Sequence, residues 1–168
     1  KVLGSSMPTW YGGWNNTVSY KNFDLNVFFR FSGGNKIMNA SRQSALFNMD
    51  FSNNGTEILG RWVSPEQPGD GMTPKIGYGD ASSLFNDGYT DSHFVESGNY
   101  LKLSTLALGY TLPKAVVSKL NMTKIRFYVQ GQNLLTITGY SGLDPETNSR
   151  LGVDWNGMPQ QRSFTFGA

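Results

Sequence analysis

Two-residue alternation dominates the chain and is cleanest at Phe23-Asp24-Leu25-Asn26-Val27-Phe28-Phe29-Arg30-Phe31, where every odd position is apolar and the even ones are Asp, Asn, Phe and Arg. Just upstream, Trp14, Asn16, Val18 and Tyr20 alternate with Asn15, Thr17 and Ser19. Only Lys21-Asn22 separates the two runs, which predicts a hairpin of strands 14–20 and 23–31 with a tight turn.

A third strand is predicted over 100–110. Leu101 and Leu103 share one phase there, while Leu106, Leu108 and Tyr110 take the other. The slip near Ser104-Thr105 predicts a β-bulge, because one extra residue returns the apolar set to a single face. A fourth strand covers 124–133, with Ile125, Phe127 and Val129 opposite Arg126, Tyr128, Gln130 and Gln132. Between them, Thr111 to Asn121 reads as one helical turn. A fifth strand is predicted over 162–168.

The connections alternate in length: Lys21-Asn22 is short, 32–99 long, the stretch between Tyr110 and Lys124 short, and 134–161 long. Short and long ends therefore segregate to opposite sides of the sheet, which is the layout of outer-membrane barrels. The apolar phase of the five strands carries no formal charge. Asp24, Arg30, Lys102, Lys124 and Arg126 all fall on the other phase, with Gln130 beside them. An Arg or Lys facing lipid at mid-depth costs about 2 to 4 kcal/mol, whereas one facing a water-filled lumen stays hydrated. This pattern predicts an all-β, antiparallel transmembrane barrel with Asp24, Arg30, Lys102, Arg126 and Gln130 facing the lumen. Alternation alone fits equally well a soluble β-sandwich, such as a carbohydrate-binding module using exposed aromatics; the loop parity favours the barrel. Spanning barrels start at about eight strands, and an open edge in lipid leaves backbone groups unpaired. The rest of such a wall is expected upstream of Lys1.

Composition agrees with strands and turns. Aromatics make up 14% and charged residues 15% of the chain, against roughly 25% charged in soluble domains. The net charge of +2 and the absence of a Lys/Arg run give no nucleic-acid footprint. There is no cysteine, hence no disulfide framework or thiolate metal site. Lys1 to Ser6 lacks the apolar run of a secretory signal, and no stretch approaches the roughly 20 apolar residues of a membrane-spanning helix.

No catalytic or cofactor-binding constellation stands out. His93 is the only histidine, and no motif supports a Ser-His-Asp arrangement around it, so a surface or packed role is expected. Asp50 to Gly55 imitates the start of a calcium loop, but position twelve is Arg61 where a bidentate Glu is required. Asp80, Asp87 and Asp91 are weak calcium candidates in a long loop. Gly69-Asp70-Gly71 and Gly77-Tyr78-Gly79 lack the Lys and helix of a phosphate cradle. The sequons at Asn15, Asn39, Asn54 and Asn121 are expected by composition alone. No hydrolytic carboxylate pair sits in a recognisable motif. Trp62, Tyr78, Tyr89, Tyr140 and Trp155 fall in predicted loops, with flat faces suited to sugars or peptides; the same rings serve loop packing, and nothing fixes their mutual geometry. Trp14, Tyr20 and Tyr110 lie near strand ends, as an interface girdle or as ordinary sheet packing.

The run from Phe94 to Pro113 (FVESGNYLKLSTLALGYTLP) resembles the C-terminal signature of the SusC/RagA family of TonB-dependent outer-membrane transporters. Arg126 to Thr136, Gly139 to Glu146 and Pro159 to Gly167 are similar to the family in the same order, and Trp10 to Thr17 and Arg61-Trp62 look like its preceding hairpin and loop. The resemblance implies the last five strands of a large plugged barrel of about 22 strands. It further implies import of oligosaccharides or peptides with energy delivered through TonB, a SusD-like surface lipoprotein at the mouth, and extracellular loops over 32–99 and 134–161. The family's final strand usually runs a few residues further to an aromatic C-terminus, whereas this sequence stops at Ala168. The plug and the TonB-contacting segment have no counterpart in it.

Overall fold

The alternating runs pair as antiparallel neighbours. In the computed structural model, which describes residues 1–46, 53–76, 92–146 and 151–168, strands β1 (Trp10–Tyr20), β2 (Phe23–Gly33), β5 (Tyr100–Thr111), β6 (Arg126–Thr138) and β8 (Ser163–Gly167) form one sheet in the order β1-β2-β5-β6-β8. The two-residue turn sets Tyr20 against Phe23 with Lys21 at φ 54°. Between β5 and β6 the chain makes one helical turn, α1 (Lys114–Val117), continued as a 3-10 turn over Ser118–Leu120 and ended by Asn121 in the left-handed region.

Register lines the apolar positions up in rows across the sheet. Phe29 pairs with Trp14 and Leu103, Val27 with Asn16 and Leu106, and Leu25 with Val18 and Leu108. The rows continue onto β6 and β8 through Val129 and Phe166. From Phe23 to Phe31 this belt measures about 26 Å along the strand at about 3.3 Å per residue, and a barrel-like tilt of about 40° leaves about 20 Å of height. Among the described residues no second sheet packs on it: Leu106 is 37%, Phe127 50% and Phe166 75% exposed. That excludes the sandwich, in which these side chains would form the core.

The expected bulge is present. Phe28 pairs with Thr105 and Phe29 with Leu103, so Ser104 is the extra residue. β6 accommodates the same irregularity with Asn133 at φ 53°. β2 and β5 run on by one or two residues, and β1 and β6 exceed their expected lengths by more. β1 begins at Trp10 because Gly12, which interrupts the alternation, lies beneath the Phe31 ring; a Cβ there would come within 2.8 Å of it. β6 runs to Thr138 and begins at Arg126, and the step at Asn133 shifts Leu134 over Gly131, hiding the continuation from a strict two-residue count.

The long connections converge at the end of the sheet away from the Lys21-Asn22 turn. There β3 (Lys36–Asn39) pairs antiparallel with β4 (Val95–Ser97) and parallel with β7 (Val153–Asp154). Phe94, fully buried, packs with Met38, Ile58 and Ile76. This small sheet was not legible in the alternation, because each strand is four residues or fewer.

Candidate functional site

The polar face and the loop cluster above it meet in a charged lattice. Arg30 on β2 stands directly opposite Lys102 on β5, an unfavourable placement for like charges unless acids intervene. Asp144 and Glu146, from the connection after β6, supply them. Lys102 Nζ donates to Asp144 Oδ1 and Oδ2 at 3.2 and 3.1 Å and also to Glu146 Oε2. Arg30 reaches Glu146 Oε2 at 3.1 Å through Nη2 and the bulge residue Ser104 at 2.8 Å through Nε. The Tyr100 hydroxyl donates to Glu146 Oε1 at 2.8 Å. Asp144 also accepts from the backbone N–H of Glu146 and of Gln160. The turn is thereby strapped to the strands.

Further out, Arg42 donates to both oxygens of Glu57 and, at 3.4 Å, to Glu96. Glu96 accepts from the Ser141 N–H and hydroxyl at 2.7 Å each and from the Asn39 amide. Asn39, Arg42, Glu57, Ser141, Leu143 and Asp154 line a cavity of about 210 Å³ between the two long connections. Its polar groups are engaged with their neighbours: Asn39 and Ser141 donate to Glu96, Arg42 to Glu57, and Asp154 accepts from Tyr140.

A second concavity of about 400 Å³ is built on Trp62 with Pro68, Met72, Pro74 and Lys75. Its frame is the Trp62 N–H to Thr73 carbonyl bond at 2.9 Å and the Asp70 carboxylate, which accepts the N–H groups of Met72 and Thr73 at 2.8 and 2.7 Å. These backbone bonds, chiefly that from Thr73, hold the Asp70 carboxyl below its ordinary value of 3.8. A carboxyl with a lowered folded pKa adds to stability above the ordinary value, and the contribution fades as pH falls through the lower folded value. Amide exchange across 68–75, corrected for intrinsic rates, is thus expected to stay constant from pH 7 to pH 5 and to accelerate only below about 3.8. Acceleration already near neutrality would contradict this.

No protein-family model matches the chain. TonB-dependent receptor P3 of Formosa agariphila is 32% identical over 177 residues, and TonB-dependent receptor SusC of Bacteroides thetaiotaomicron 26% over 171 residues; the matches take in 99% and 92% of this chain. The RagAB peptide importer in its open-open state superposes over 99% of this chain with a TM-score of 0.81 at 25% identity. The chain belongs to the SusC/RagA type of TonB-dependent receptor. It spans about a sixth of these relatives, 17% of receptor P3 and of the RagAB chain and 14% of SusC. The five SusC/RagA strands are accordingly part of a larger antiparallel barrel.

Within this SusC/RagA segment the expected site residues divide. Asp24, Arg30, Lys102, Arg126 and Gln130 all lie on the polar phase, and Asp24 and Arg126 pair at 2.6 Å across Gly109. The expected hydration fails for Lys102: its side chain is 1% exposed, because Asp144 and Glu146 cover it. Tyr140 is buried too, 5% exposed, and donates its hydroxyl to Asp154 at 2.6 Å. Burial first, and that bond second, push its pKa well above the usual tyrosine value, so Tyr140 is a packing residue and not a ligand platform. Trp155 is 71% exposed, and Trp62 is 37% exposed with Lys75 Nζ 5.8 Å from its ring. Tyr78 and Tyr89 lie outside the described residues, as do Asp80, Asp87, Asp91 and the start of the calcium-like run at Asp50. His93 packs edge-on to Phe94 within reach of Arg42. Arg42 and Glu57 carried no sequence signal, since each is a lone charge in a polar stretch; Glu96, Asp144 and Glu146 were visible only through the family resemblance.

Proposed function

We propose that this chain is an incomplete C-terminal segment of the barrel domain of an outer-membrane importer that takes up oligosaccharides or peptides. The charge-free apolar face, exposed on all five strands opposite a face that bears every strand charge, carries the reading: hydrocarbon accepts the first and a hydrated lumen the second. The long connections, 32–99 and 134–161, stand at the extracellular mouth. There they meet a SusD-like surface lipoprotein, and Trp62 and Trp155 offer apolar faces to the incoming substrate. Energy arrives from TonB through parts of the protein beyond this chain. The relatives named TonB-dependent receptor and the likeness to a peptide importer support this assignment.

Orientation is tested in intact cells producing the full-length protein. This chain has no cysteine; with any cysteine elsewhere in the full-length protein replaced by serine, Glu66→Cys in the first long connection and Lys21→Cys in the tight turn report their own positions to a membrane-impermeant maleimide. Glu66→Cys is expected to label in intact cells and Lys21→Cys only after the outer membrane is permeabilised. The reverse pattern would overturn the proposal.

A further inference from the structure

Four exposed lysines gather at the short-turn end of the sheet. Lys21 belongs to the β1–β2 turn, and Lys114, Lys119 and Lys124 to the β5–β6 connection. They are unremarkable in the sequence, where 93 to 103 positions separate the first from the others; antiparallel pairing of β2 with β5 brings them together. No acidic residue occurs in 19–23 or 110–125. The neighbouring carboxylate, Asp24, is held by Arg126 at 2.6 Å. The cluster takes four of the 14 basic residues, leaving ten against 12 acidic ones elsewhere. The chain is thus polarised, cationic at this end and acidic overall in the remainder.

The lysines border the last aromatic row of the apolar belt, Tyr20, Phe23, Tyr110 and Phe127. Phe23 and Tyr110 are in ring contact at 4.6 Å, and Lys21 Nζ lies 5.2 Å from the Tyr20 ring. Lys21 follows Tyr20 directly, and Lys124 stands three residues before Phe127, about 10 Å of extended chain. A headgroup layer is about 5 to 8 Å deep on each side of the hydrocarbon, and lysine stems extend along apolar surface to place the ammonium in such a layer. Val116 and Met122, 45% and 56% exposed, put apolar groups among the cations. Lys21 and Lys124 also share a shallow cleft of about 320 Å³ with Ser19, Asn22, Asp24 and Thr111; Arg126 neutralises the Asp24 carboxylate at 2.6 Å, and the hydroxyl and amide groups suit phosphate oxygens.

We infer that this end of the wall is a docking surface for anionic phospholipid headgroups of the periplasmic leaflet. Charge complementarity selects the anion, and continuity with the aromatic row places it in the membrane and not free in the periplasm. The inference rests on the orientation proposed above.

The test uses the full-length protein in zwitterionic detergent, with adducts of dioleoyl phosphatidylglycerol and dioleoyl phosphatidylcholine counted by native mass spectrometry. The variant K21Q/K114Q/K119Q/K124Q is expected to bind phosphatidylglycerol at least about tenfold more weakly, since each lysine near an anionic surface contributes about fivefold, with phosphatidylcholine unchanged. K1Q/K36Q/K75Q, altered outside this end, is expected to match the parent. Heat-modifiable gel mobility confirms folding; should the fourfold variant not fold, K21Q and K124Q singly are each expected to lose about fivefold. A change under twofold, or an equal loss in K1Q/K36Q/K75Q, overturns the inference. If that happens while Lys21→Cys remains shielded in intact cells, the importer reading stands and only the lipid site falls. Labelling of Lys21→Cys from outside removes both.

Discussion

Lys102→Met is expected to destabilise the folded barrel by about 3 kcal/mol and to free the connection after β6. The ammonium is the shared partner of Asp144 and Glu146, whose side chains are 6% and 13% exposed. Removing one member of a buried ion pair costs about 3 to 5 kcal/mol, because the charge left behind has neither water nor a counter-ion. Arg30 still reaches Glu146 at 3.1 Å, which places the loss at the lower end. Hydrogen exchange in 139–146 and denaturant unfolding of the full-length protein measure the two effects together. Neutralising the acids as well, in K102M/D144N/E146Q, should recover part of the stability, since the stranded charges are gone. Exchange in K102M as slow as in the parent would show that the strap does not hold the loop.

Leu106→Arg is expected to cost about 3 kcal/mol, and Gln130→Arg less than about 1 kcal/mol. Leu106 lies in the middle row of the belt, between Val27 and Gly131. An arginine there meets hydrocarbon at mid-depth. Gln130, opposite Ala107 and Thr165, stands at similar height on the polar face, where the same side chain remains hydrated. The contrast isolates the face from the general effect of adding a bulky cation. Folded fraction by heat-modifiable mobility and the denaturation midpoint in lipid supply the readout; equal costs for the two variants would remove the lipid-facing assignment of the belt.

The interior of the wall was legible because its signal is local. A residue's face in a strand is set by parity alone, so Phe23 to Phe31 declares its two sides without knowledge of any neighbour. The slip at Ser104-Thr105 declares the bulge in the same way. Boundaries were missed where a neighbour's side chain fills a gap, as Phe31 does over Gly12 and Leu134 over Gly131. The lattice above the polar face was missed for the opposite reason. Its members come from stretches far apart in sequence, and a lone Arg42 or Glu96 has no periodic context to mark it.

Parity along the chain and the cost of unpaired backbone in lipid were enough to give the five wall strands, their faces, the bulge, the alternation of short and long ends, and the need for a larger barrel. Only the tertiary structure decided what the charges do. It buried Lys102 beneath Asp144 and Glu146, turned Tyr140 inward onto Asp154, folded the long connections into a small sheet around Phe94, and drew four scattered lysines to one end. Whether a charge is hydrated, paired or clustered depends on distances between segments remote in the chain, and those distances are set only once the strands have found their register.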